Sequence, residues 1–160
     1  MEMEFNPVAA WDQLAESWDA TMGTEGNDYY IVIELPALER MVQPKSGDRA
    51  LDLATGNGLV AHWLGQRVTS VLATDASPAM IVRAQAQQAL RFKDRHTATA
   101  VTYKVLDVTS PQHFEELISS DVGVRFSNSY FLHFSSAPTY RLMAEIKARL
   151  SSLTDSLGTF

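Results

Sequence analysis

Leu51-Asp52-Leu53-Ala54-Thr55-Gly56-Asn57-Gly58-Leu59-Val60-Ala61 decides the fold of this chain. It reads as a buried strand, a glycine turn and the first turn of a helix. Two glycines flank one residue, so the backbone can turn tightly and lie close to a ligand. Asp52 falls inside the strand, just before the turn. A second acid, Asp75, ends the next apolar run, Ser70-Val71-Leu72-Ala73-Thr74. That separation is the one expected of a ribose-binding acid in a nucleotide-binding βαβ unit.

Three cofactor classes meet such a pattern. A P-loop is excluded, because no Gly-Lys-Ser or Gly-Lys-Thr follows the glycines. A dinucleotide site stays open, since Gly56-x-Gly58-x-x-Ala61 fits the permissive fingerprint. Asp52 argues against it, because an acid there repels a pyrophosphate. S-adenosylmethionine (SAM) carries a sulfonium and an ammonium and no phosphate, so an acidic crevice suits it. A third strand, Val101-Thr102-Tyr103-Lys104-Val105-Leu106, leads into Asp107-Val108. Three successive strands thus carry an acid at or near the carboxyl end, where open α/β sheets bind ligands.

Asp52-Leu53-Ala54-Thr55-Gly56-Asn57-Gly58, Asp75-Ala76-Ser77-Pro78-Ala79-Met80 and Leu106-Asp107-Val108 resemble the cofactor motifs of class I SAM-dependent methyltransferases. The ubiquinone/menaquinone-biosynthesis type is the nearest flavour, and the resemblance covers roughly Trp11 to Leu117. It implies that Asp52 lies near the methionyl ammonium and that Ala54, Gly56, Asn57 and Gly58 pass beneath the cofactor. It implies further that Asp75, with Ala76, holds the ribose hydroxyls, Met80 packs on adenine, and Asp107 with Val108 reads the adenine edge. Ala54 stands where the family usually has a first glycine. Its added methyl is expected to be accommodated with the residue extended.

Composition frames this reading. With 160 residues, 46% hydrophobic and 20% charged, the chain is expected to form one globular α/β domain. The net charge of -6 disfavours a nucleic-acid partner. No apolar run reaches the length of a membrane span, and the acidic start Met1-Glu2-Met3-Glu4 lacks the basic flank of a targeting peptide. A cytoplasmic address is expected. Cysteine is absent, which removes disulfides and thiolate zinc sites, and no histidine pair has metal-ligand spacing.

Along the chain, Pro7 to about Thr21 reads as an amphipathic helix with Trp11 and Trp18 in the core. Tyr29 to Val42 reads as a helix kinked at Pro36. Strands are expected at about 49–53, 70–74 and 101–106, and more weakly at 121–127. Helices fall between them at about 59–66, 78–91 and 110–119, the last two opened by Ser77-Pro78 and Ser110-Pro111. The single domain expected over 1–160 divides into a helical cap (1–48), a core sheet (49–128) and an atypical tail (129–160). Alternating strands and helices give a Rossmann-like parallel sheet. The resemblance implies the order 3-2-1-4, followed by further strands that this chain is expected to lack.

Phe126, Tyr130, Phe131, Leu132 and Phe134 then form an apolar run beside an uncovered fourth strand. A second copy or a partner subunit is the expected cover. Tyr29, Tyr30 and Asn128 are candidates for the substrate pocket, and His133 is the candidate base. Asp52 also has a structural reading, as a cap for turn amides. The function expected is methyl transfer from SAM to a small molecule. A non-catalytic SAM-binding scaffold and a nicotinamide-dependent oxidoreductase are the alternatives.

Overall fold

The computed structural model describes residues 6–91, 100–113 and 116. The fourth strand, the aromatic run, Asn128 and His133 lie outside the described residues. Three strands, β1 (Arg49–Leu53), β2 (Ser70–Asp75) and β3 (Ala100–Val105), form one sheet in the order β1-β2-β3. Both pairings are parallel: Leu53 stands opposite Thr74, and Asp75 opposite Val105. This is the 3-2-1 part of the expected order, read from the other edge. The sheet, with its crossover helices, is Rossmann-like, as the alternation of the sequence required.

Helix α1 (Pro7–Met22) begins at Asn6, whose side chain accepts the Ala9 N–H at 3.1 Å. Pro7 sits in the first turn, where its missing N–H costs nothing. The next segment is helical throughout, but its irregularity is not a simple kink. Tyr30–Glu34 is π-helical, and α2 (Leu35–Val42) follows directly with Pro36 in its first turn. The wider turn closes with the Leu35 N–H on the Tyr30 carbonyl. A proline supplies no N–H and crowds the preceding turn, and one widened turn relieves both problems.

Helix α3 (Leu59–Gly65) connects β1 to β2, and α4 (Pro78–Arg91) connects β2 to β3. Ala61, Trp63 and Leu64 of α3 pack with Val71 and Ala73 of β2 and with Leu38 of α2 to form the main core. A second cluster joins Met22, Tyr30 and Leu59. The expectation of two core tryptophans on α1 is corrected for Trp11; Trp18 packs against the Met22, Tyr30 and Leu59 cluster. Trp11 is 42% exposed, and Trp18 is half-buried. The two rings meet edge to face, 5.6 Å between centroids. Helical periodicity placed both on one face, but α1 turns its buried stripe, Ala15, Asp19 and Met22, to the protein instead. That stripe contains an aspartate, which an apolar pattern does not reveal.

Candidate cofactor site

The site begins where β1 ends. Asp52 is 5% exposed and accepts the Thr55 hydroxyl at 2.7 Å. Burial pushes its carboxyl up to about 7; hydrogen bonding from Thr55 and the Ala61 backbone pulls the other way, and the charge of Asp75 adds to the rise. Asp52 therefore serves its own loop and the start of α3, and it also feels the second acid of the site. A carboxylate this buried is costly to ionise without a cation.

Ala54 follows at φ 57°, so it is not extended as expected. The turn takes the left-handed conformation at the position where the resemblance implied a glycine. The residue survives because it is exposed, so its methyl meets no wall. Gly56 and Gly58 also have positive φ, 56° and 81°. For Gly58, space matters as well as conformation. A Cβ there would stand 2.8 Å from Tyr103 Oη and 3.3 Å from Ala84 Cβ. The positive φ and the close approach of Tyr103 and Ala84 together favour glycine here.

Asp75, at the tip of β2, ties the glycine loop to the next turn. One carboxylate oxygen accepts the Gly56 N–H at 3.0 Å, and the other accepts the Ser77 N–H at 2.9 Å. Burial raises its carboxyl above the usual range against those backbone bonds, and the charge of Asp12 raises it further. A carboxylate has about four acceptor positions, so both oxygens keep capacity for ligand hydroxyls. Ser77 caps α4 as the sequence indicated, its hydroxyl accepting the Met80 N–H at 3.1 Å. Asp12 of α1 joins that cap, accepting the Ser77 hydroxyl at 2.5 Å and the Ala79 N–H at 3.2 Å. Met80 is 2% exposed.

Asp107 lies just past β3. Its carboxylate holds a turn, accepting the Thr109 N–H at 2.8 Å and the Thr109 hydroxyl at 2.6 Å. Its own N–H is donated to His113 Nδ1 at 3.1 Å. His113 is half-buried. Val108 is half-buried beside it. The strand register thus brings Asp52, Asp75 and Asp107 to the carboxyl edge of one parallel sheet.

The remaining candidates divide. Tyr29 is 54% exposed, whereas Tyr30 is 4% exposed. Burial and the nearby Asp52 charge both raise the Tyr30 phenol. The Asn57 side chain turns towards α1, donating to Asp19 Oδ1 at 3.1 Å and to the Gly23 carbonyl at 3.3 Å. Sequence reasoning missed Asp12, Asp19, Tyr103 and Arg91. Tyr103 lies under the glycine loop, and burial raises its phenol to about 12. Trp18 packs against the second cluster, and its indole Nε1 also lies 3.6 Å from where a Gly56 Cβ would stand. Nothing in their spacing sets these residues apart from ordinary helix and strand positions. Among the described residues no group of three His, Asp or Glu could hold a metal, and no helix is long and apolar enough to cross a membrane.

Comparison with known proteins places the chain in a family. A family model described as a methyltransferase domain matches residues 50–152, more than half of the chain. No curated protein matches. Among solved structures, a SAM-dependent methyltransferase from Anabaena variabilis ATCC 29413 is similar at 23% identity and TM-score 0.51, over 77% of this chain and 48% of that one. A complex of DhpI with SAH is 24% identical at TM-score 0.49, over 63% of this chain and 43% of that one. An S-adenosylmethionine dependent methyltransferase from Mesorhizobium loti is 29% identical at TM-score 0.38, over 55% and 35%. The chain spans less than half the length of each of these structures. The Anabaena structure shares the fold, and the family match covers the glycine loop, the Asp75 turn and the Asp107 turn: the chain belongs to the methyltransferase domain family.

Proposed function

We propose that this chain binds S-adenosylmethionine at the carboxyl edge of the sheet and transfers its methyl group to a small-molecule acceptor. One observation carries the reading. Asp52, Asp75 and Asp107 lie at or just past the carboxyl ends of three adjacent parallel strands, beside a loop whose two glycines hold positive φ. The chemistry of that donor set fits the cofactor. Asp52 is a buried carboxylate whose ionisation burial opposes, and a sulfonium or ammonium supplies the missing cation. The Asp75 oxygens, already fixed by two backbone N–H groups, accept ribose hydroxyls without reorganising.

When bound, the cofactor supplies an activated methyl group. The protein then mainly aligns the partners, which contributes about 7–11 kcal/mol to such displacements. Gly56 and Gly58 let the backbone pass close beneath the ligand. Asp107 and Val108 meet the adenine edge, and Met80 packs at that end. Tyr29 stands at the approach and Tyr30 forms part of the floor beside Asp52. Asn128 and His133 stay candidates for the acceptor side, His133 as a base that takes a proton from a hydroxyl acceptor.

Titration calorimetry tests the reading. SAM and its demethylated product SAH are expected to bind and NAD is not, and Asp75→Ala is expected to weaken SAM at least tenfold. NAD binding in place of SAM overturns it. Transfer of label from methyl-labelled SAM to small acceptors then separates an enzyme from a binding scaffold.

A further inference from the structure

Two buried charges lie beneath the glycine loop, outside every motif of the sequence. Asp19 and Arg91 are each 8% exposed. Asn57 stands between them and is 2% exposed. Its side-chain amide donates to Asp19 Oδ1 at 3.1 Å, and its backbone carbonyl accepts Arg91 Nη1 at 3.3 Å. The same guanidinium nitrogen reaches the Gly58 carbonyl at 3.2 Å, and Nε reaches the Thr24 carbonyl at 2.7 Å. Asp19 also accepts from Gln87 Nε2 at 2.8 Å.

We infer that Asp19 and Arg91 are positioning residues for the cofactor loop, bracketing Asn57 from its side chain and from its backbone. Gly56-Asn57-Gly58 is intrinsically the loosest stretch of the site, because glycine loses the most freedom on ordering. Peptide planarity makes the bracket effective. Fixing the carbonyls of Asn57 and Gly58 fixes the planes of the two following peptides, and so the direction of their N–H groups. Hydrogen bonds to charged groups are the stronger kind, and burial keeps water from competing for them. The loop is thereby set before the ligand arrives, so binding does not have to order it. Asp19 and Thr24 lie outside the matched region 50–152. The N-terminal helix and the loop after it are therefore part of the cofactor site.

The inference rests on the proposed SAM site, and its test separates the two. Affinity for SAH is measured by calorimetry well below the melting temperature of each variant. Arg91→Lys keeps the charge but loses the fork, and Asn57→Ala cuts the link to Asp19. Each is expected to weaken SAH tenfold or more. Gln87→Met removes the other Asp19 partner without touching the loop. It is expected to lower the melting temperature and leave affinity within twofold. If Arg91→Lys does not fold, Asp19→Asn takes its place, with the same expected direction. Binding within twofold in both bracket variants overturns the inference, as does a Gln87→Met loss equal to that of Asn57→Ala. If the wild type binds no SAH, the function fails instead. The bracket is then still read from the Gly58 and Leu59 amide resonances, which move in Arg91→Lys and Asp19→Asn if it holds and stay in place if it does not.

Discussion

At the scale of the residue, Ala54 and Asp52 carry measurable costs. Ala54 occupies the left-handed region at φ 57°, where an L side chain costs about 1–2 kcal/mol. Glycine removes that cost but adds unfolded-state entropy. Ala54→Gly is therefore expected to stabilise the chain by roughly 0.5–1 kcal/mol, read as a rise of a few degrees in thermal unfolding. Asp52 predicts a pH dependence. Its carboxyl is raised from 3.8 to about 7 in the fold, so between those values the folded state holds a proton that the unfolded state lacks. Stability is then full below the lower value and falls as pH rises through the upper one, by up to ~1.4 kcal/mol per pH unit. Asp75 shifts in the same direction. Urea unfolding of the ligand-free protein from pH 4 to 8 should show this decline, and Asp52→Asn should flatten it. The identities of both acids were legible because strand-end carboxylates beside glycines are a positional signal. The φ of Ala54 was not, because the sequence shows a missing glycine but not whether the turn still demands one.

At the scale of the element, the glycine loop and its neighbours act as one packed unit. Gly58→Ala would set a methyl 2.8 Å from Tyr103 Oη at a φ of 81°. The loss expected is at least ~2 kcal/mol, from overpacking and strain together. Tyr103 Oη has no hydrogen-bond partner among the described residues. Tyr103→Phe alone is therefore expected to cost under ~1 kcal/mol, and to recover part of the Gly58→Ala loss in the double variant. Melting curves of the four proteins check the cycle, and strict additivity would contradict it. Strand and helix bounds could be read closely from alternation and from the Ser77-Pro78 start, because those signals are local. The π-helical turn before Pro36 could not, since a proline announces a break without saying how the backbone absorbs it.

At the scale of the whole molecule, β2 is paired on both sides and holds Ala73 and Thr74 at 0% exposure. Its amides are expected to exchange with deuterium more slowly than those of β3, and equal rates would contradict the described sheet order. Helix α1 is joined to this core by polar contacts. Asp12 reaches the Ser77 turn, and Asp19 reaches the glycine loop and α4. The two aspartates are seven residues apart, two turns on one helix face, and each serves a different loop of the site.

What the sequence determined by itself was the alternation of strands and helices, the parallel sheet, and the acids at its carboxyl edge. Local chemistry dictates each of these: β-branched runs extend, glycines permit the turn, serine and proline start a helix. What only the tertiary structure decided was who holds the loop. Asp12, Asp19, Tyr103 and Arg91 look like ordinary surface or lattice-filling residues in one dimension. They become partners because burial removes their water and leaves each polar atom to find its bond within the protein.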